Sequence, residues 1–258
     1  MAKEDLQHLI ANTFLATAEH HAVLGSTNDR ARELSTDPAV GLPALVMADQ
    51  QTAGRGRRSN RWWTGQGALA FSLLLEPASL GILRQHSPQL SLVAAVAVVD
   101  TLRPLLPALE VGLHWPNDVF AAGRKLSGIL VEALPDGRHI LGIGINVNNA
   151  LSQAPPEVQH VATTLFDLIG HECDSMALLT ELLQTLASHL QQLAARPEEF
   201  GRRYDEHCLQ RGQVLTIQHG QETTRGNCLG VATDGALMLE TSAGRQAFYG
   251  GFLIHDRP

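Results

Sequence analysis

Cysteine is scarce. The 258 residues hold three, Cys173, Cys208 and Cys228, odd in number and far apart. Neither a disulfide framework nor a metal knuckle is indicated, and a reducing, cytoplasmic setting is expected. No apolar run reaches the roughly 18 residues that would point to a membrane span. The opening Met1-Ala2-Lys3-Glu4-Asp5-Leu6 lacks the charged-then-apolar order of a secretory signal. Twelve histidines are scattered, with His20-His21 the only adjacent pair and no HExxH string, so most are read as surface or packing residues. A basic excess is also missing. With 26 acidic against 19 basic side chains the net charge is −7, which argues against the broad basic face that duplex nucleic acid requires. No Ser/His/Asp or reactive-cysteine arrangement is recognisable. Internal repeats and low-complexity tracts are absent.

Against that acidic background one segment stands out. Gly54-Arg55-Gly56-Arg57-Arg58-Ser59-Asn60-Arg61 carries four guanidinium groups on a glycine-hinged loop, followed at once by Trp62 and Trp63. Arginine pairs bidentately with phosphate or carboxylate, and glycine lets the backbone approach a ligand. A local basic loop on an acidic body fits a small anion. Four like charges repel, so the loop is expected to be mobile until an anion orders it.

The rest of the chain reads as one sizeable core plus a small appended unit. Ser26-Thr27-Asn28 precedes a helical stretch over 29–34 and has the composition of a helix cap. Leu42 to Met47 reads as a strand delivering the arginine loop, Ala68 to Leu75 as a buried strand, and Gln89 to Leu105 as a buried helix. Pro116-Asn117-Asp118 implies a sharp corner, Ala122-Gly123-Arg124-Lys125 a hairpin turn into a strand over 126–133, and Pro135-Asp136-Gly137 a second turn. His139 to Val147 is β-rich, with Gly142 and Gly144 marking a bulge or a close backbone contact. Helices are expected over 178–193 and 197–208. From about Leu209 short β-like runs (214–218, 223–229, 236–240 and 245–252) alternate with glycines, as in a small barrel.

Four strings occur in an order and spacing that resemble biotin protein ligases: Ser26-Thr27-Asn28; Gln51-Thr52-Ala53-Gly54-Arg55-Gly56-Arg57; Trp115-Pro116-Asn117-Asp118 with Lys125 and Gly128 after it; and Gly142-Ile143-Gly144-Ile145-Asn146-Val147-Asn148. The resemblance runs from about Ser26 onward. It implies an α+β fold, with a mixed sheet flanked by helices of the class II synthetase-like biotin/lipoate ligase type and a small C-terminal SH3-like β-barrel. The expected division is 1–208 for the catalytic domain and 209–258 for the barrel. The implied activity is ATP-dependent biotinylation of one lysine on a biotin carboxyl carrier protein. It passes through biotinyl-5′-AMP and releases pyrophosphate, then AMP, with magnesium accompanying ATP.

The resemblance also assigns residues. Ser26, Thr27 and Gln51 would bind the ureido head of biotin, with Asn28 adjoining that site. Arg55, Gly56, Arg57, Lys125 and Gly128 would hold the rest of biotin and its carboxylate. Arg57, Arg58, Trp62, His114, Asn117 and Asn146 would contact the nucleotide. Lys125, Arg55, Arg57 and Asp118 would carry the chemistry, with Asp118 placed to orient the nucleotide, its magnesium or the incoming lysine. Two departures matter. His114 stands where the family normally has lysine, so weaker nucleotide binding or a steeper loss of activity with rising pH is expected. Ser59-Asn60 replace a frequent Gly-Arg, with Arg61 as the candidate substitute. Ser26 lies too early for a preceding helix-turn-helix domain, so operator binding is not expected. Gly142 and Gly144 allow approach by ligand or by a second subunit, which leaves a homodimer open. The rival readings are a lipoate or octanoate ligase, which needs an apolar tunnel, and a non-catalytic adenylate-binding regulator.

Overall fold

In the computed structural model, which describes residues 3–254, the chain runs through α1 (Lys3–Asn12), β1 (Thr17–Leu24), α2 (Thr27–Leu34), β2 (Ala44–Gln51), β3 (Leu69–Leu75), α3 (Leu90–Leu102), β4 (Val111–His114), β5 (Asp118–Ala121), β6 (Arg124–Ala133) and β7 (His139–Ile145). Then come α4 (Pro156–Gln159), α5 (Leu165–Ile169), α6 (Ser175–Ala195), α7 (Pro197–Glu206), β8 (Val214–His219), β9 (Glu222–Val231), β10 (Leu237–Thr241), β11 (Gly244–Phe248) and β12 (Phe252–Ile254). The first seven strands form one mixed sheet in the order β1-β2-β3-β7-β6-β5-β4, parallel between β1 and β2 and antiparallel elsewhere.

Strand alternation sorts this sheet into two covered faces. Ala44, Val46, Leu74 and Ile140 meet Ala31 and Leu34 of α2 on one side. Leu45, Leu73, Leu75 and Leu141 face α3 and α6 on the other. A strand covered on both faces reads as a continuous apolar run, and all seven residues of β3 are buried. Its single hydroxyl, Ser72, therefore lies on the α2 side. So do its pairing partner Gly142, then Gly144, and across from them Gly128, Leu130 and Glu132 of β6. The candidate site is built on this face.

The expected helix over 89–105 is α-helical only over 90–102. Short 3-10 turns flank it over 84–89 and 103–105, because Pro88 and Pro104 each remove a backbone donor. Ala122-Gly123 forms the expected hairpin turn, with Ala122 at φ 48 as a primed two-residue turn requires. The β-like run over 245–252 splits into two strands at Tyr249-Gly250-Gly251. Its second part, β12, pairs with β8, closing a five-stranded antiparallel sheet in the order β11-β10-β9-β8-β12. Its size and pairing agree with a small SH3-like unit.

Candidate active site

One cavity of about 220 Å³ collects most of the residues singled out from the sequence. Its polar end is built by β2, β3 and the start of α2. Ser26 occupies the N-cap position of α2 but makes no side-chain capping bond, so its hydroxyl is not committed to the helix. The Gln51 Oε1 accepts from the Thr27 backbone N–H at 2.8 Å and from its hydroxyl at 3.2 Å, while Gln51 Nε2 donates to Thr64 Oγ1 at 2.9 Å. The buried Ser72 hydroxyl lies 2.6 Å from Asn28 Oδ1 and 2.8 Å from Thr27 Oγ1. The result is a connected patch of neutral hydroxyls and amides, nearly all of it out of water. Such a patch recognises an uncharged head group with both donors and acceptors.

The floor is backbone. A Cβ on Gly142 would stand 2.1 Å from Asn28 Oδ1, and one on Gly144 would stand 2.3 Å from Trp62 Cε2. The register of β7 against β3 and β6 is unbroken. These glycines therefore mark close approach of side chains rather than a bulge. The bulge lies instead in the β5–β6 pair, where Asp118 faces Gly128 and Phe120 faces Lys125 with a register shift between. Without it Lys125 and Gly128, three apart, would point to opposite faces; the extra residue brings both to the cavity.

The opposite end is cationic. Lys125 Nζ sits 2.7 Å from Asp118 Oδ2 and 5.8 Å from the centre of the Trp62 ring. Trp62 Nε1 and Asp118 Oδ1 are buried without a hydrogen-bond partner. Arg57 donates to Asn117 Oδ1 at 3.2 Å and to the Gly251 carbonyl at 3.4 Å, and Asn117 is itself held by the Ile129 carbonyl at 2.7 Å. Burial lowers the Arg57 pKa, with Asp118 opposing and Arg58 adding to the depression. The guanidinium stays charged nonetheless, so its position favours an anion in the cavity.

Arg55 behaves differently. Its guanidinium bonds Asp29 Oδ1 at 2.7 Å and Glu132 at 2.9 and 3.2 Å. Burial opposes its charge, yet the bonds and charges of Asp29 and Glu132 prevail and raise its pKa. Arg58 lies 3.6 Å over the Phe252 ring, and Arg61 donates to the Thr52 carbonyl at 3.0 Å. The repulsion implied by four adjacent cations is thus relieved by sending each to a different neighbour. The loop is a small hairpin, with Gly56 N–H donating to Asn60 O at 2.8 Å and Trp62 N–H to Gly54 O at 3.0 Å.

His114 lines the cavity and stacks on Phe120 with ring centres 4.4 Å apart. Two expected nucleotide contacts are not among its lining: Arg58 lies over the ring of Phe252, which is, and Asn146 is buried, accepting from Asn149 Nδ2 at 3.3 Å. Sequence reasoning missed Ser72, Glu132 and the Gly251–Leu253 segment that lines the cavity from the second sheet. Ser72 had a signal, since it is the lone hydroxyl in an otherwise apolar strand. The 251–253 segment had none, because its contact with Arg57 spans 194 residues.

Residues 22–148 match the model of the biotin/lipoate A/B protein ligase family. The bifunctional ligase/repressor BirA of Bacillus subtilis is 33% identical over 249 residues, covering 94% of this chain and 72% of that protein. A biotin–[acetyl-CoA-carboxylase] ligase of Paracoccus denitrificans is 32% identical, covering 88% of this chain and 98% of its own length. The biotin protein ligase of Aquifex aeolicus, solved in complex with biotin and ATP, superposes with a TM-score of 0.80 at 29% identity, covering 93% of this chain and 98% of that one. On the strength of relatives above 30% identity aligned along most of both chains, this chain belongs to the biotin/lipoate A/B protein ligase family.

Proposed function

We propose that the chain is an ATP-dependent biotin–protein ligase. It activates biotin as biotinyl-5′-AMP and transfers the acyl group to a lysine on the biotin carrier of a carboxylase. The observation that carries this reading is one cavity with a neutral hydroxyl-and-amide patch at one end and the Arg57 and Lys125 cations at the other. In the first half-reaction a biotin carboxylate oxygen attacks the α-phosphorus of ATP and the bond to pyrophosphate breaks. In the second, the carrier amine attacks the acyl carbon, AMP leaves, and the amine gives up a proton. Neither step needs an enzyme nucleophile. Fixed cations and positioning supply the rate, since charge builds on phosphoryl oxygens in the first step and on the acyl oxygen in the second.

On this reading Ser26, Thr27 and Gln51 take the ureido group, with Asn28 completing that end. Arg57 and Lys125 meet the biotin carboxylate and the reacting phosphate, and Trp62 lies between head group and nucleotide. Asp118 releases Lys125 to the phosphate and turns to the incoming amine. Magnesium enters with ATP. Among the described residues no cluster of three His, Cys, Asp or Glu would cage it, and Asp118 is the one carboxylate lining the cavity. That donor set fits an ion held mainly by phosphates. The same reading assigns 1–208 to the ligase unit and 209–258 to the small second unit, whose strands begin at Val214.

The test is biotin-dependent conversion of labelled ATP to labelled biotinyl-AMP, followed by discharge onto an added biotin carrier domain, with lipoate run in parallel. Adenylate formed with biotin and cleared by the carrier is the expected result. Adenylate formed with lipoate alone, or with neither acid, would overturn the reading.

A further inference from the structure

Glu132 belongs to none of the strings that identify the site, yet its carboxylate ties three elements of it together. It lies on the site face of β6, two residues beyond Leu130 and four beyond Gly128, and its side chain is 17% exposed. It accepts from Arg55 of the loop at 2.9 and 3.2 Å, from Asn28 Nδ2 at the polar end at 2.8 Å, and from Arg32 of α2 at 2.9 Å. With Asp29 also on Arg55, the group comprises two carboxylates and two guanidiniums and is balanced in charge. The Arg55 cation is thereby committed to the protein, whereas Arg57 hydrogen-bonds only neutral oxygens among the described residues. Glu132 also fixes which way the Asn28 carboxamide faces. Its Nδ2 must point to the carboxylate, which leaves Oδ1 for the Ser72 hydroxyl beside Gly142.

We propose that Glu132 is a positioning residue which, through Arg55 and Asn28, pins the arginine loop to the sheet beside the head-group pocket and slows escape of the acyl-adenylate. This rests on the ligase reading above. It divides the loop's labour: Arg57 meets the anion, and Arg55 is the latch that keeps Arg57 and the loop backbone in place.

Glu132→Gln tests it with little change of shape. The amide still accepts one bond, but its NH2 now faces donors and the charge is gone. Two readouts are taken. The first needs no biotin chemistry: the rate of tryptic cleavage at Arg57, Arg58 and Arg61 in the protein alone. The second is release of preformed labelled biotinyl-AMP, with the KM for biotin and the single-turnover adenylation rate at saturating substrates. The expected result for Glu132→Gln is about tenfold faster cleavage, about tenfold faster release and a matching rise in biotin KM, with adenylation slowed by no more than about threefold. Arg55→Gln breaks the same pair from the loop side and should likewise speed cleavage and release. The effects of the two singles should fall well short of multiplying in the double variant, as expected where they share one interaction. Cleavage and release at the wild-type rate in a Glu132→Gln protein with an unchanged melting temperature would overturn the latch. So would single effects that multiply in the double variant. If Glu132→Gln melts early, Arg55→Gln and its two rates decide. Wild-type protein that makes no biotinyl-AMP defeats the ligase reading, while the cleavage arm still judges the latch.

Discussion

Lys125 and Asp118 meet at 2.7 Å with side chains 30% and 22% exposed. An ammonium in that position is a compact point charge that can leave its carboxylate for a phosphoryl oxygen without moving its backbone. Lys125→Ala should cost about 2–4 kcal/mol of transition-state stabilisation, read as a roughly 30- to 900-fold slower single-turnover adenylation. Biotin binding by calorimetry should change much less. At this scale the sequence was most informative where chemistry has few alternatives: an arginine-glycine loop, a hydroxyl-rich triplet, a lysine beyond a hairpin turn. It was least informative for Glu132. A glutamate in a strand reads as a solvated charge, and only the folded arrangement sets it opposite Arg55, 77 residues away.

Among the elements, β6 and β7 were legible as strands, but the feature that matters was not. A one-residue bulge leaves no mark in composition, and without it Lys125 would face α3. The edge strand β1 also escaped notice, because its residues are only partly buried and do not alternate. Its His20 and His21 bond Asp49 and Glu19, in keeping with a surface role. For β7 a direct test exists. Gly144→Ala puts a methyl where the Trp62 ring already lies, 2.3 Å from Cε2. Such overpacking typically costs about 1–3 kcal/mol. The ring is the softer partner, so it should shift toward the cavity. Expected outcomes are a changed tryptophan emission and weakened biotin and ATP binding, with the far-ultraviolet dichroism preserved.

Seen as a whole molecule, the site hangs on a junction just behind its own lining. Leu113 of β4 exchanges backbone bonds with His207 and Leu209 at 2.7 and 3.0 Å, and the Trp115 N–H and indole donate to Gln210 and to the Gly235 carbonyl. These bonds anchor the Trp115–Asp118 corner to the chain that enters the second sheet. Beneath it Asp100 of α3 receives Arg203 at 2.6 Å and faces His189 and His207 at 3.2 and 3.3 Å. Burial opposes the Asp100 charge, but the two imidazoles and Arg203 outweigh it and hold its pKa well below the usual carboxylate range. A depressed carboxylate stabilises fully above its unfolded pKa of about 3.9, and that contribution fades as the pH falls toward the folded value. Asp100→Asn should therefore lower stability by roughly 2–3 kcal/mol near neutrality. Melts between pH 7 and pH 2 should show the gap to wild type closing as the solution becomes acid.

The bond from Arg57 to the Gly251 carbonyl joins residues 194 positions apart, and that carbonyl directly precedes β12, which pairs with β8. Contacts of such sequence separation carry the largest loop-closure entropy and form late when a chain folds. The polar end has shorter spans to close, 24 residues from Thr27 to Gln51 and 44 from Asn28 to Ser72. Refolding should thus proceed through a stage that has a head-group pocket before it has a properly held Arg57. During that interval the chain would have its secondary structure but little capacity to keep a reactive acyl-phosphate ester from water, so catalytic competence is the last property acquired.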